Sequence, residues 1–143
     1  MGKEKLLEML NKAVELEHAA RIQYMSHAGL VAGRGAEGII ARLKEIASDE
    51  LEHEGLFREC IAILGGTPSM KLDEVYEAKD VKSILEVNLR EEKKAVDFYK
   101  EIYKELQSTK GELQYEYEYI EHRVRHVIID EQEHALELTT LMG

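Results

Sequence analysis

Apolar residues recur along most of the chain in alternating steps of three and four, the spacing that lines one face of an α-helix. Four such stretches stand apart, separated by turn-forming residues. Helix A is predicted over about Lys3 to Val31, with Leu6, Leu10, Ala13, Glu17, Ala20, Tyr24, His27 and Val31 on one seam. Gly33, Gly35 and Gly38 interrupt it, so helix B, from about Glu37 to Leu64, returns antiparallel. Its inward stripe reads Ile39, Leu43, Ile46, Glu50, His53 and Phe57, and Gly65-Gly66-Thr67-Pro68 ends it. From Ser69 to about Asp80 the pattern is mixed and reads as a long crossover, which lets helix C run parallel to helix B. Helix C, about Val81 to Gln107, carries Leu85, Leu89, Glu92, Val96, Tyr99, Tyr103 and Leu106 on one face. After the turn Ser108-Thr109-Lys110-Gly111, helix D is predicted from about Glu112 to Leu141. Residues Tyr115 to Ile120 alternate as a strand would, but they lead without a break into a helical pattern and are read as helix. The expected fold is all-α: one domain over residues 1–143, a four-helix bundle of two antiparallel hairpins joined by a long B–C crossover.

Composition narrows the function classes. The 143 residues are 44% hydrophobic and 34% charged, with one proline and no tryptophan, a balance suited to long amphipathic helices. A formal charge of -10 disfavours binding to nucleic acid and suits attraction of cations. The single cysteine, Cys60, excludes an intramolecular disulfide and a four-cysteine metal centre, and its place near the helix B stripe predicts a buried thiol. No apolar run reaches the ~18 residues of a membrane span, and Met-Gly-Lys-Glu-Lys is not a signal-peptide core, so a cytoplasmic location is expected. Leu7 and Val14 predict an exposed apolar strip on helix A and hence a homo-oligomer, a dimer or larger.

The chemistry lies in the polar residues that interrupt the apolar stripes. Asp130-Glu131-Gln132-Glu133-His134 repeats Asp49-Glu50-Leu51-Glu52-His53 with one change. Residues three apart share a helical face, so Glu50 points with His53 and Glu131 with His134. Such pairs in apolar stripes are costly unless their charge is compensated. The other two helices carry a second repeat, Glu17-x-x-Ala20-x-x-x-Tyr24 and Glu92-x-x-Ala95-x-x-x-Tyr99, which also selects Glu92 over its neighbour Glu91. Four carboxylates and two imidazoles, from Glu17, Glu50, His53, Glu92, Glu131 and His134, suit two divalent first-row metals, and four negative charges balance two such ions. Iron fits best; manganese is the alternative. Asp49, Asp130 and Asn88 are candidates to orient the imidazoles. Tyr24 is a candidate to hydrogen-bond a carboxylate or supply an electron, with Tyr99 its repeat partner. His18 and His27 are expected at the surface or a helix end. Glu118, His122, His126 and Asp130, at steps of four, form an exposed column that could serve as an accessory iron site.

This motif set, spread over nearly the whole chain, resembles the ferritin-like superfamily and within it the bacterioferritin ferroxidase centre. The resemblance implies that Glu50 and Glu131 bridge the metals, with Glu17 and His53 completing one ion and Glu92 and His134 the other. It implies oxidation of Fe²⁺ by O₂ or H₂O₂, feeding iron storage or detoxification. Three departures bear on this. Leu51 stands where bacterioferritins place a haem-binding methionine, so no haem is expected. The sequence ends just after helix D, without the short fifth helix of many ferritins. Rubrerythrins, also similar, usually add a four-cysteine domain and a further helix C glutamate, where this chain has Ala95. The competing functions are a rubrerythrin-like oxidase or peroxidase reduced by a separate electron-donor protein, and a metal-free helical interaction module.

Overall fold

The computed structural model describes residues 2–143. Helix α1 (Gly2–Ala28) is followed by α2 (Ala36–Ile63), α3 (Val81–Ser108), a 3₁₀ turn at Lys110–Glu112 and α4 (Tyr117–Leu141). Contacts set the directions. Gln23 meets Asn88 near one end of α1 and Lys5 meets Glu105 near the other, so α1 and α3 are antiparallel. Arg42 meets Glu137 and Glu59 meets Arg123, so α2 and α4 are antiparallel as well. With α1 and α2 forming a hairpin, α3 runs parallel to α2, as the long crossover requires.

Local chemistry explains the ends of the elements. Gly65 takes φ 80°, the left-handed region, and the N–H groups of Gly65 and Gly66 return to the carbonyls of Ala62 and Ile61, both at 2.9 Å. This glycine-closed end caps α2. Gly66 lies so close to α1 that an added Cβ would stand 2.7 Å from Leu7 Cδ2. At the start of α3, Asp80 is the cap: its Oδ1 accepts from the Ser83 N–H at 2.9 Å.

The crossover, 65–80, runs along α1 and is tied to it throughout. Asn11 donates to the Thr67 carbonyl at 3.2 Å and accepts from the Ser69 N–H at 2.7 Å, and Tyr76 N–H donates to Gln23 Oε1 at 2.7 Å. Arg58 adds a bond to the Ser69 carbonyl at 2.7 Å while gripping Glu54 at 2.8 Å.

Three expectations are corrected. Helix α4 begins at Tyr117 rather than Glu112, because the chain first makes a 3₁₀ turn and tucks Leu113 into the core; Tyr115 and Glu116 lie in a turn. Helix α1 ends at Ala28, although Val31 beyond it is still buried. Val14 is fully buried in the bundle and Leu7 packs under the crossover, so they form no exposed strip. Cys60 is buried as expected, and burial pushes its thiol up to about 12. No helix among the described residues is long and apolar enough to cross a membrane.

The core falls into two apolar blocks. One gathers Leu6, Leu10, Phe57, Ile61, Tyr99, Ile102, Leu106 and Val124; the other gathers Tyr24, Leu43, Ile46, Ile84, Leu85 and Leu138. Between them lies a layer of buried glutamates and histidines.

Candidate metal centre

Each helix delivers its polar residues to this layer because they sit in register with its apolar stripe. Glu17 comes from α1, Glu50 and His53 from α2, Glu92 from α3, and Glu131 and His134 from α4; all six are at most 2% exposed. They form two overlapping groups of potential metal donors: Glu17, Glu50, His53 and Glu131, and Glu50, Glu92, Glu131 and His134. Glu50 and Glu131 belong to both. His53 Nδ1 lies 3.3 Å from Glu17, 3.2 Å from Glu50 and 3.4 Å from Glu131. His134 Nδ1 lies 2.9 Å from both Glu92 and Glu131 and 3.6 Å from Glu50. The two rings stack at 27° with centroids 6.0 Å apart.

The far side of each ring is anchored. His53 Nε2 donates to Asp130 Oδ2 at 2.8 Å and His134 Nε2 to Asp49 Oδ2 at 2.9 Å, each bond crossing between α2 and α4. With its proton held at Nε2, each imidazole turns Nδ1 toward the carboxylates. Tyr99 donates to Glu17 Oε2. Glu91, by contrast, is half-buried and pairs with Arg90 at 3.0 Å.

Several buried atoms here have no hydrogen-bond partner: Glu17 Oε1, both carboxylate oxygens of Glu50 and of Glu131, His53 Nδ1 and the Tyr24 hydroxyl. Orphaned buried polar atoms are rare and costly, and these converge on one place. Burial, reinforced by repulsion from Glu131, raises Glu17 to about 7 and raises Glu50 and Glu92 well above the usual carboxylate range. Burial alone would raise Glu131 too, but the adjacent imidazoles of His134 and His53 outweigh that and hold it low. Burial works against protonation of the imidazoles, yet the adjacent carboxylates of Glu131 and Glu92 raise His134 to about 11, and those of Glu131, Glu17 and Glu50 raise His53 further. Protons therefore stand where cations would neutralise the cluster. Two divalent ions fit this donor set in both charge and atom type.

A family model described as a ferritin-like domain matches residues 7–142. The chain belongs to the ferritin-like family. A bacterial ferritin of Neisseria meningitidis serogroup B is 32% identical over 99 residues, 69% of this chain and 64% of that protein. A bacterioferritin of Desulfovibrio desulfuricans is 33% identical over 103 residues, 71% of this chain and 58% of that one. The matched stretch is thus less than two thirds of either relative's own length. Among solved structures, a ferritin-like diiron-carboxylate protein from Bacillus anthracis str. Ames superposes with a TM-score of 0.91 at 26% identity, covering 100% of this chain and 99% of that one. The ferritin-like bundle is thereby established for this chain.

Other expected residues land differently. Asn88 touches neither His53 nor His134: it accepts from Gln23 at 2.9 Å and its amide lies 2.9 Å from His27 Nδ1, bracing α1 against α3. His27 stands in the last turn of α1, one of the two places expected for it, but is buried there, with Nε2 3.0 Å from the Tyr76 carbonyl. Its place on the helix A seam was the signal for this. His18 is half-buried, its Nδ1 3.2 Å from the Lys71 carbonyl. The bond to a site carboxylate comes from Tyr99, whereas the Tyr24 hydroxyl makes none. Tyr24 instead lines a cavity of about 370 Å³ between α1 and α3, which also reaches Glu17, Glu50, Glu92 and Glu131.

Proposed function

We propose that this protein is a ferroxidase, taking two Fe²⁺ per chain at Glu17, Glu50, His53, Glu92, Glu131 and His134. The observation that carries this reading is the set of buried, unpartnered carboxylate and imidazole atoms gathered between two apolar blocks. Glu50 and Glu131, shared by both donor groups, would hold both ions; Glu17 and His53 would complete one, Glu92 and His134 the other. Manganese would satisfy the same donors. When bound, the metal pair supplies the electrons that reduce O₂ or H₂O₂.

The protein's own residues prepare that reaction. Asp130 and Asp49 hold the Nε2 protons, so that each imidazole presents Nδ1. Tyr99 fixes one oxygen of Glu17 and leaves the other free. Loading displaces protons from the raised glutamates and imidazoles, so binding tightens as pH rises. The cavity beside Tyr24 gives a small oxidant a path to the carboxylates. A metal-free interaction module has no use for six buried ionisable groups, whose desolvation weakens the fold.

Relatives described as bacterial ferritins and bacterioferritin support storage or detoxification of iron, a cytoplasmic location and assembly into a homo-oligomer. A rubrerythrin-like oxidase with a separate electron donor would share the site but not the store. Iron retained per chain after aerobic loading, measured together with particle mass, separates them. A large oligomer holding many more than two irons per chain is expected; a small particle holding two overturns the storage reading.

A further inference from the structure

Four hydrogen bonds close into a ring where the crossover passes the cavity between α1 and α3. Tyr76 N–H donates to Gln23 Oε1 at 2.7 Å, and Gln23 Nε2 donates to Asn88 Oδ1 at 2.9 Å. Asn88 Nδ2 donates to His27 Nδ1 at 2.9 Å and to the Ile84 carbonyl at 2.8 Å. His27 Nε2 then returns to the Tyr76 carbonyl at 3.0 Å. Only one proton arrangement satisfies this ring. A carbonyl can only accept, so His27 carries its proton on Nε2 and leaves Nδ1 to accept from the Asn88 amide. Burial lowers His27 and so keeps Nδ1 free for that role. Gln23, His27 and Asn88 are all buried, and a broken link would leave a buried polar group unsatisfied.

Apolar packing does little to hold this part of the crossover, since Met70, Leu72 and Val75 are exposed. The main chain of Tyr76 is gripped instead, by its N–H and by its carbonyl. Its hydroxyl donates to Glu74 at 3.1 Å, and the Arg90 guanidinium lies over its ring at 4.7 Å. Tyr76, Gln23 and Asn88 all line the cavity, which extends from exposed Glu74 and Lys94 to the buried carboxylates.

We propose that Gln23, His27 and Asn88 are positioning residues that lock Tyr76 at the rim of this cavity, and that the locked rim selects oxidants by size. O₂ and H₂O₂ pass it, whereas a branched alkyl hydroperoxide is held back while the ring is closed. This inference rests on the ferroxidase reading, and two measurements separate their failures.

Amide hydrogen exchange in metal-free protein reads the ring itself. His27→Leu touches neither the Tyr76 N–H nor its acceptor, yet it should speed exchange there at least about tenfold. His27→Gln, which offers Asn88 an acceptor and the carbonyl a donor, should keep exchange slow. Asp73 N–H, bonded to the Glu15 carbonyl at 3.1 Å, should exchange alike in all three proteins. Unchanged exchange at Tyr76 in His27→Leu, or equal acceleration at Tyr76 and Asp73, overturns the ring as a lock.

Stopped-flow oxidation of Fe²⁺-loaded protein by H₂O₂ and by tert-butyl hydroperoxide reads the size limit. Each peroxide, ROOH, takes two electrons from two Fe²⁺ together with two protons, and its O–O bond breaks to give ROH and water. The ratio of the H₂O₂ rate to the alkyl hydroperoxide rate should fall at least about fivefold in His27→Leu and recover in His27→Gln. A ratio equal in all three proteins overturns the size limit alone. Native protein that oxidises no Fe²⁺ with either peroxide overturns the ferroxidase reading as well.

Discussion

His134 on α4 donates its Nε2–H to Asp49 on α2 at 2.9 Å, and that single bond leaves Nδ1 facing Glu92 and Glu131. Removing such a partner typically costs about 10–100-fold in metal affinity. Asp49→Ala is therefore expected to weaken one of the two tight ions by at least about tenfold. Asp49→Asn, which keeps an acceptor oxygen, should weaken it less. Calorimetric titration checks both, and equal affinities in all three proteins would show that the aspartate does not position the ring.

Glu92 and Glu91 separate the buried carboxylate from its half-buried neighbour. Glu92 is 2% exposed and 2.9 Å from His134 Nδ1, while Glu91 pairs with Arg90. Glu92→Ala should slow ferrous oxidation at least about tenfold, or ~1.4 kcal/mol of barrier. Glu91→Ala should stay within about twofold, as a surface pair contributes little. Stopped-flow oxidation compares them, and a dead Glu91 variant would contradict the assignment.

Much of this centre was legible in the sequence because a glutamate or histidine inside an apolar helical stripe is anomalous. Glu17 and Glu92 stood out only through their shared repeat with Tyr24 and Tyr99. What was not legible depends on contacts without a period. The crossover has no hydrophobic rhythm, so its bonds to Asn11, Gln23 and His27, and its cover over Leu7, left no pattern to read. The alternation from Tyr115 to Tyr119 masked the start of α4, which Leu113 decides by turning into the core. Tyr24 and Tyr99 occupy equivalent places in the repeat, and only three-dimensional packing decides which of them reaches a carboxylate.

Acidity should separate the metal-free from the loaded protein. Glu17, raised to about 7, and Glu50 and Glu92, also raised, favour the fold while protonated; their contribution is full below the unfolded value of about 4.3 and is lost as pH climbs through the folded ones. Glu131, held low, contributes fully throughout this range. His27, lowered by burial, opposes the trend and favours the fold increasingly up to about pH 6.5. Three glutamates outweigh one histidine. Metal-free protein should lose thermal stability between about pH 5 and 7.5, and the stabilisation conferred by metal should grow over the same interval. Thermal melts with and without Mn²⁺ test this, and a metal-free melting temperature that rises with pH would contradict it.

Leu51 lies exposed on α2, directly after Glu50, and its side chain has no donor atom for iron. Haem added to the protein should therefore show only the absorbance of free haem. A low-spin bis-methionine spectrum would contradict this.

A paired centre requires two irons per chain to react together. Anaerobic protein loaded with increasing Fe²⁺ and mixed rapidly with O₂ should show a fast oxidation phase whose amplitude saturates at two Fe²⁺ per chain. Glu131→Ala, which removes a carboxylate common to both donor groups, should abolish that phase. A fast phase that saturates at one iron, or that persists unchanged in Glu131→Ala, would contradict the paired centre.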